Sequence, residues 1–269
     1  MKRCSIFIIL LLTIAGCSDH RASEKKFPAR SVTINGSTYN YRIYLPEKRD
    51  SNSMIPVMLY LHGSGSRGDD NRSQLNDISS SINDDPDRFP FIIVIPQCRP
   101  DTFWAGEMME QAMAALDQTV NEFNGDPDRL YLAGFSMGGY GVWQFAVTHP
   151  NKFTALVPIA GGIVPNGPVS EKDMAMLSPQ VRAVAVSDHP YQAFAKAIGN
   201  TPVWVLHGSD DDAVPVAGSR KIVEALKAAG NPSVNYTEFE NVGHISIVNA
   251  FRQSSLFEWL AQQRRTPDK

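Results

Sequence analysis

The stretch "YLAGFSMGGYGVW" (residues 131–143) changes its pattern at a single serine. Its first residues are apolar and typical of a buried strand, and its last residues favour a helix, with glycines in between. Residues 134–138 match G-x-S-x-G, a pattern that has mechanical meaning when a strand precedes it and a helix follows. The stretch therefore predicts a strand–turn–helix unit that exposes Ser136 at the carboxyl end of a sheet, beside a helix N-terminus that attracts anions.

Apolar runs on either side of this stretch predict the rest of the sheet. The runs are continuous rather than alternating, which is typical of parallel strands covered on both faces; they are residues 56–63, 91–97, 129–134, 153–162, 202–208 and 234–240. Helical patterns separate them, at 107–123, 136–148, 219–229 and 250–263. Alternation around Asn35-Gly36 predicts a β-hairpin. The predicted fold class is α/β, with a mostly parallel doubly wound sheet, an antiparallel N-terminal hairpin and helices on both faces.

A serine hydroxyl is a weak nucleophile until a base removes its proton, so Ser136 requires a histidine and an acid. The segment "VLHGSDDDAVP" (residues 205–215) follows a predicted strand and offers Asp210, Asp211 and Asp212. His244, in the loop "FENVGHIS", is the only histidine after these acids. The order Ser, Asp, His predicts a catalytic triad, with an ordinary solvated loop histidine as the alternative interpretation.

Three stretches resemble one known family: "LHGSGSRGDDN" (61–71), the residues 134–162 around the serine, and "WVLHGSDDDAVP" (204–215). The chain resembles the α/β-hydrolases, and more narrowly the esterases similar to polyhydroxybutyrate depolymerases, feruloyl esterases and "predicted peptidases". In such proteins the acid is the fifth residue of a pattern like H-G-x-x-D-x-x-V-P. The resemblance therefore implies Asp211 as the acid, with Asp210 and Asp212 as solvated loop residues.

The resemblance also implies an oxyanion hole made of two backbone N–H groups. One belongs to Met137, directly after the serine, and the other to Ser64 or Gly63 in the loop after "YLHG". Two positions depart from the family pattern. Ser66 stands where a glutamate often occurs, and no tryptophan follows His244. The resemblance therefore does not define the residues of the substrate pocket, whereas it does define those of the triad.

Further candidates lie near the expected site. Trp104 and Gln97 follow the strand of residues 91–97 and are predicted to line the substrate pocket, with an ordinary core tryptophan as the alternative. Asp69 and Asp70 are carboxylates without further ligand spacing, so we expect turn residues there and no metal. No cofactor is expected. The segment 163–201, rich in Pro, Ser and Asp, is long for a crossover and predicts a possible cap.

The N-terminus predicts export. Lys2 and Arg3 precede the apolar run "SIFIILLLTIAGC", which fits a secretory signal and is too short for a stable span. Its end, "IAGC" (residues 14–17), resembles the bacterial lipoprotein box. The resemblance implies a signal peptide over 1–16, lipidation of Cys17, a tether over 17–30 and a catalytic domain over 31–269. Ser18, rather than aspartate, favours the outer membrane.

Composition restricts the classes of protein that fit. Hydrophobic residues make up 43% and charged residues 20%, which is typical of a soluble globular domain. Loss of Lys2 and Arg3 with the signal changes the net charge from −3 to −5, and no basic run is present, so nucleic acid is not an expected partner. With Cys4 removed and Cys17 lipidated, Cys98 has no intrachain partner, and a disulfide framework is excluded.

These observations predict a lipid-anchored serine hydrolase that cleaves carboxylic esters at the bacterial membrane. Two alternatives stay open: a serine peptidase with the same machinery, and a non-catalytic surface lipoprotein that uses the fold as a scaffold. Feruloyl or acetyl groups on polysaccharide, polyester oligomers and small esters are all candidate substrates.

Overall fold

The fold begins with the predicted β-hairpin. In the computed structural model, which describes residues 25–48, 53–163, 171, 174 and 177–265, strand β1 (Ala29–Ile34) pairs antiparallel with β2 (Ser37–Tyr44). The turn residues Asn35 and Gly36 have φ angles of 48° and 78°. Positive φ at both central residues is the geometry of a type I′ turn, whose twist matches that of the flanking strands.

The strands form one sheet among the described residues, in the order β1-β2-β4-β3-β5-β6-β7-β8. After the hairpin come β3 (Ile55–Leu61), β4 (Ile92–Pro96), β5 (Gly125–Phe135), β6 (Ala155–Ile159), β7 (Val203–Gly208) and β8 (Val234–Phe239). Strand β2 pairs antiparallel with β4, and every later pairing is parallel. The predicted fold class is confirmed.

Helices cover both faces of this sheet. They are α1 (Ser79–Asp84), α2 (Glu107–Glu122), α3 (Met137–Thr148), α4 (Pro179–Ala185), α5 (Pro190–Ile198), α6 (Ala217–Ala228), α7 (Ile247–Arg252) and α8 (Ser254–Gln262). Successive residues of β3 point to opposite faces: Leu59 joins a core built with α2 to α6, and Tyr60 joins a second core built with α1, α7 and α8. Burial on both faces explains the continuous apolar runs of the sequence.

The predicted helices agree with α2, α3 and α6 to within two residues at each end. The last predicted helix, 250–263, is instead two helices, because the extended backbone of Gln253 separates α7 from α8. Helices α4 and α5 lie in the segment 163–201 that was expected to be a cap. Both begin at a proline, and the Ser178 hydroxyl caps α4 by accepting the Val181 N–H at 3.2 Å, a start signal that the sequence offers.

The described part of the segment 163–201 packs on α3 and α6. Ser178 also bonds Thr148, the last residue of α3, at 2.9 Å between the hydroxyls. This contact lies at the opposite end of α3 from Ser136. Residues 164–170, 172–173 and 175–176, which would complete the expected cap, lie outside the described residues.

The expected signal peptide, Cys17 and most of the tether also lie outside the described residues. The folded body starts earlier than residue 31, because Phe27 is buried and its carbonyl accepts a hydrogen bond from Arg42 at 3.0 Å. Within the described ranges, no helix has the length and apolar character needed to cross a membrane.

Candidate active site

Ser136 occupies a strained turn between β5 and α3. Its φ and ψ are 54° and −116°, a region that non-glycine residues rarely adopt, and its N–H donates to the Ile159 carbonyl at 2.9 Å. Glycine is required two residues to either side. A Cβ on Gly134 would overlap with the Gly138 carbonyl, and a Cβ on Gly138 would overlap with the Leu61 carbonyl. The turn is therefore pressed against the end of β3.

The structure brings the three predicted triad residues into one hydrogen-bonded chain. His244, in the loop between β8 and α7, lies 2.8 Å through Nε2 from the Ser136 Oγ. Its Nδ1 lies 2.8 Å from the Asp211 Oδ2. Asp210 and Asp212 are exposed, and Asp210 accepts the hydroxyl of its neighbour Ser209. Of the three candidate acids, Asp211 alone contacts the histidine.

Asp211 is held by four donors. Its Oδ1 accepts the N–H groups of Val214 and Ala213 at 2.7 and 3.0 Å. Its Oδ2 accepts from His244 and, at 3.1 Å, from the Nε2 of His207. Four donors fix the carboxylate in one orientation and satisfy its charge in a site where its side chain is fully buried.

His207 is a buried neighbour of Asp211 to which the sequence patterns assign no role. Its Nε2 lies 2.8 Å from the Val214 carbonyl, so this nitrogen carries the proton, and its Nδ1 accepts from the Ser219 hydroxyl at 2.7 Å. Burial lowers the pKa of His207, which favours this neutral form. The four-residue spacing of histidine and aspartate in "HGSDD" was the signal that could have indicated the contact.

The backbone N–H groups of Met137 and Ser64, which were predicted to bind an oxyanion, have no loop or turn acceptor on the backbone of the described residues. Met137 is the first residue of α3, so its N–H has no acceptor within the helix. The Gly63 N–H is engaged, because it donates to the Asp77 Oδ2 at 2.8 Å. This leaves Ser64, the first residue of a 3₁₀ turn after β3, as the second candidate donor. The contact of Gly138 with the end of β3 brings this loop against the start of α3.

Buried side chains support the loop after β3. The Nε2 of His62 accepts the Cys98 N–H at 3.0 Å, and its Nδ1 donates to the Gly63 carbonyl at 2.6 Å. Burial lowers the pKa of His62 to about 4, so it is neutral at pH 7. The Trp104 Nε1 donates to the His62 carbonyl at 2.9 Å.

The two expected pocket residues need correction. Trp104 is 1% exposed and belongs to the core, with its indole edge packed on His62. Gln97 is 4% exposed, and its amide is engaged: Oε1 accepts the Asn71 N–H and Nε2 donates to Asp70, at 2.8 and 2.7 Å. Both side chains face inward because their polar groups complete the loop, so neither fits a pocket-lining role.

Asp70 is a turn residue. It accepts the N–H groups of Arg72 and Ser73 at 3.0 Å and the Ser73 hydroxyl at 2.6 Å. Desolvation acts to raise its pKa, but these bonds and the one from Gln97 outweigh it and lower the pKa overall. Asp69 is exposed. Across the part of the chain that the structure describes, no group of three or more His, Cys, Asp or Glu side chains could hold a metal ion.

Comparisons with known proteins place the chain in a known family. A family model described as "Prolyl oligopeptidase family" matches residues 101–265. An "Uncharacterized secreted protein" of Arthroderma benhamiae is 28% identical over 211 residues, which are 73% of this chain and 22% of that protein. "Feruloyl esterase B" of Thermothelomyces thermophilus is 24% identical over 271 residues, covering 84% of this chain and 89% of that protein.

A solved structure described as a thermostable esterase superimposes with a TM-score of 0.72 at 27% identity, over 90% of this chain and 64% of that one. The chain thus spans about a fifth of the Arthroderma protein and somewhat under two thirds of the esterase structure.

Proposed function

The chain belongs to the prolyl oligopeptidase family, and from this premise we propose that it is a serine hydrolase that cleaves carboxylic esters through an acyl-enzyme. One observation carries the proposal: Ser136, His244 and Asp211 are joined by two hydrogen bonds of 2.8 Å. Nucleophile, base and orienting acid in this order are what activation of a serine hydroxyl requires.

In this mechanism the Ser136 Oγ attacks the ester carbonyl while the His244 Nε2 takes the hydroxyl proton. The negative charge that develops on the carbonyl oxygen is stabilised by the N–H groups of Met137 and Ser64. When the carbon–oxygen bond to the alcohol breaks, His244 returns the proton to the leaving alcohol. Water then attacks the acyl-enzyme and loses a proton to His244. As the bond between the acyl carbon and the Ser136 Oγ breaks, His244 returns this proton to Oγ, and the acid leaves. Asp211 orients the imidazole and stabilises its cationic form throughout.

Esters are favoured over peptides by the names of two relatives, a feruloyl esterase and a thermostable esterase. The name of the matching family favours the alternative, a serine peptidase. The same nucleophile serves both, because ester and amide hydrolysis share a tetrahedral intermediate. A non-catalytic scaffold is the third candidate, and it predicts no Ser136-dependent turnover.

The test is a set of initial rates on p-nitrophenyl esters of increasing acyl length, methyl ferulate and a peptide p-nitroanilide. Each is measured for the wild type, for Ser136→Ala and for Ser80→Ala, an exposed serine of α1 that serves as a control. Ester turnover that only Ser136→Ala abolishes supports the proposal. A higher kcat/KM for the anilide supports the peptidase instead. Absence of Ser136-dependent turnover on every substrate supports the scaffold.

We also propose that the protein is exported and anchored by a lipid to the outer membrane of a bacterium. Its partners are then the ester substrate and the lipid surface. The support is the apolar run and the "IAGC" sequence that ends at Cys17. Incorporation of a palmitate analogue, lost in Cys17→Ala, would test this. Equal incorporation by the variant would contradict it.

A further inference from the structure

A second carboxylate, Asp77, interacts with the charge of His244 and takes no part in the mechanism above. It sits between the 3₁₀ turn Ser73–Leu75 and α1. Its Oδ2 accepts the Gly63 N–H at 2.8 Å, and the Ser66 hydroxyl also bonds this carboxylate. Asp77 therefore joins the segment before α1 to the loop that carries Ser64.

The surroundings of Asp77 make a charged side chain costly at this position if its role is only structural. Burial raises the pKa of Asp77, and the bonds from Gly63 and Ser66 together with the charge of His244 offset this only in part. The titratable groups that face it in the described part of the chain are His244 and the Tyr60 phenol, whose own pKa is raised by burial and by the charge of Asp77. A neutral side chain at this position would avoid the desolvation penalty.

The bond to Gly63 also decides which N–H group of the loop is open. With the Gly63 N–H engaged, and the Gly63 carbonyl bonded to His62, the peptide planes on both sides of Gly63 are held. Ser64 is then the residue whose N–H remains for an oxyanion, beside the Met137 N–H. Loss of the Asp77 bond would leave the Gly63 N–H without its acceptor and would let this turn rotate away from the orientation that presents the Ser64 N–H.

The geometry points to Asp77 as a positioning residue: it holds the Gly63–Ser64 turn in the orientation that presents the Ser64 N–H to the oxyanion, and it places a second carboxylate near His244. The inference rests on the proposed function, because it concerns the tetrahedral intermediate of that reaction. It assigns a role to a residue outside the triad.

The experiment compares the wild type with Asp77→Ala and Asp77→Asn. Alanine removes the acceptor, whereas the asparagine amide oxygen can still accept the Gly63 N–H but carries no charge. Asp84→Ala, an exposed aspartate of α1, is the matched control. For each protein we would measure kcat and KM for p-nitrophenyl butyrate, the pH profile of kcat/KM, and the melting temperature.

A second readout does not depend on turnover. A fluorophosphonate reacts with an activated serine by forming a P–O bond as fluoride leaves, with its phosphoryl oxygen in the oxyanion hole. The rate of Ser136 phosphonylation, followed by intact mass and absent in Ser136→Ala, reports on the same donors.

We expect Asp77→Ala to stay folded at 25 °C and to lose about ten- to hundredfold in kcat, with KM within about threefold and phosphonylation slowed in parallel. Asp77→Asn should recover most of kcat. In both variants the acidic limb of the kcat/KM profile should move to lower pH by about 0.5 unit, because a negative charge beside the active site is gone.

The inference is overturned if Asp77→Ala keeps kcat within twofold, or if asparagine fails to restore what alanine removes. It is also overturned if the lost activity follows the unfolded fraction. Failure of the proposed function looks different: the wild type then shows no Ser136-dependent ester turnover, and the phosphonylation rates alone decide the role of Asp77. A folded wild type that is not phosphonylated at Ser136 overturns both.

Discussion

The same tripeptide, Leu-His-Gly, lies at the carboxyl ends of β3 and β7, and the two loops that follow use it differently. After β3, the two ring nitrogens of His62 bond backbone groups, those of Cys98 and Gly63. After β7, His207 bonds the Asp211 carboxylate. Both histidines are fully buried and have lowered pKa values. The comparison teaches that an identical local sequence can support the proposed oxyanion loop or the proposed catalytic acid, according to the residues that it contacts.

The largest effect should come from the β7 loop. In Asp211→Asn the amide can accept from His244 only by changing its bonds to Val214 and Ala213, and it can no longer stabilise the imidazolium. We expect kcat to fall by about 10³- to 10⁴-fold, with KM little changed. Steady-state kinetics would measure this. Asp210→Asn, at the exposed neighbour, should stay within twofold, and a comparable loss there would mean that the wrong acid has been chosen.

The next effect concerns stability on the β3 side. The folded-state pKa of His62 is about 4, below the unfolded value of about 6.5. Between these pH values the unfolded chain binds a proton that the folded chain does not, so stability decreases as the pH falls from about 6.5 to about 4. This histidine contributes on the order of 3 kcal/mol of that decrease.

Urea unfolding of the wild type and of His62→Gln at several pH values in this window would measure that contribution. Subtracting the free energy of unfolding of the variant from that of the wild type at each pH cancels the contributions of groups that titrate in both proteins, including His207 and Asp77. Parallel curves would show that His62 is not the buried neutral group described above.

A smaller effect should distinguish the two histidines by activity. In His207→Gln a side-chain amide replaces the ring N–H that bonds both Asp211 and the Val214 carbonyl. Asp211 then becomes less well oriented, and we expect kcat to fall by about tenfold with KM unchanged. The kinetics of His62→Gln, measured in the same series above pH 7, should show a smaller loss. If His62→Gln loses more, the β3 loop is the more sensitive of the two.

The smallest effect should come from Ser219→Ala. The variant leaves the Nδ1 of His207 without its 2.7 Å donor, and an unsatisfied buried acceptor costs about 1–3 kcal/mol of stability. We expect kcat within about threefold of the wild type, because the opposite nitrogen still bonds Asp211. Thermal unfolding and steady-state rates would test both parts. A loss equal to that of His207→Gln would mean that the hydroxyl sets the position of the ring.

Several features of the site could be predicted from short-range patterns. Ser136 lies in a turn whose glycines are required by close backbone contacts two residues away, so the local sequence alone indicates the turn. Continuous apolar runs predicted the sheet because both of its faces are covered. Asp77 and the pocket residues were different. Asp77 contacts Gly63 across 14 positions, and Gln97 contacts Asp70 across 27, with no periodicity to indicate either pair.

By itself, the sequence determined the α/β class, the strand–turn–helix unit at Ser136 and the order of the proposed nucleophile, acid and base, because each depends on periodicity or spacing along the chain. Only the tertiary structure decided which loop groups meet: His244 reaches Ser136 across 108 residues, Asp77 occupies the Gly63 N–H, and Trp104 turns into the core. Parallel strands bring their carboxyl ends to one edge of a sheet, and hydrogen bonds of about 3 Å at that edge depend on packing that no local pattern encodes.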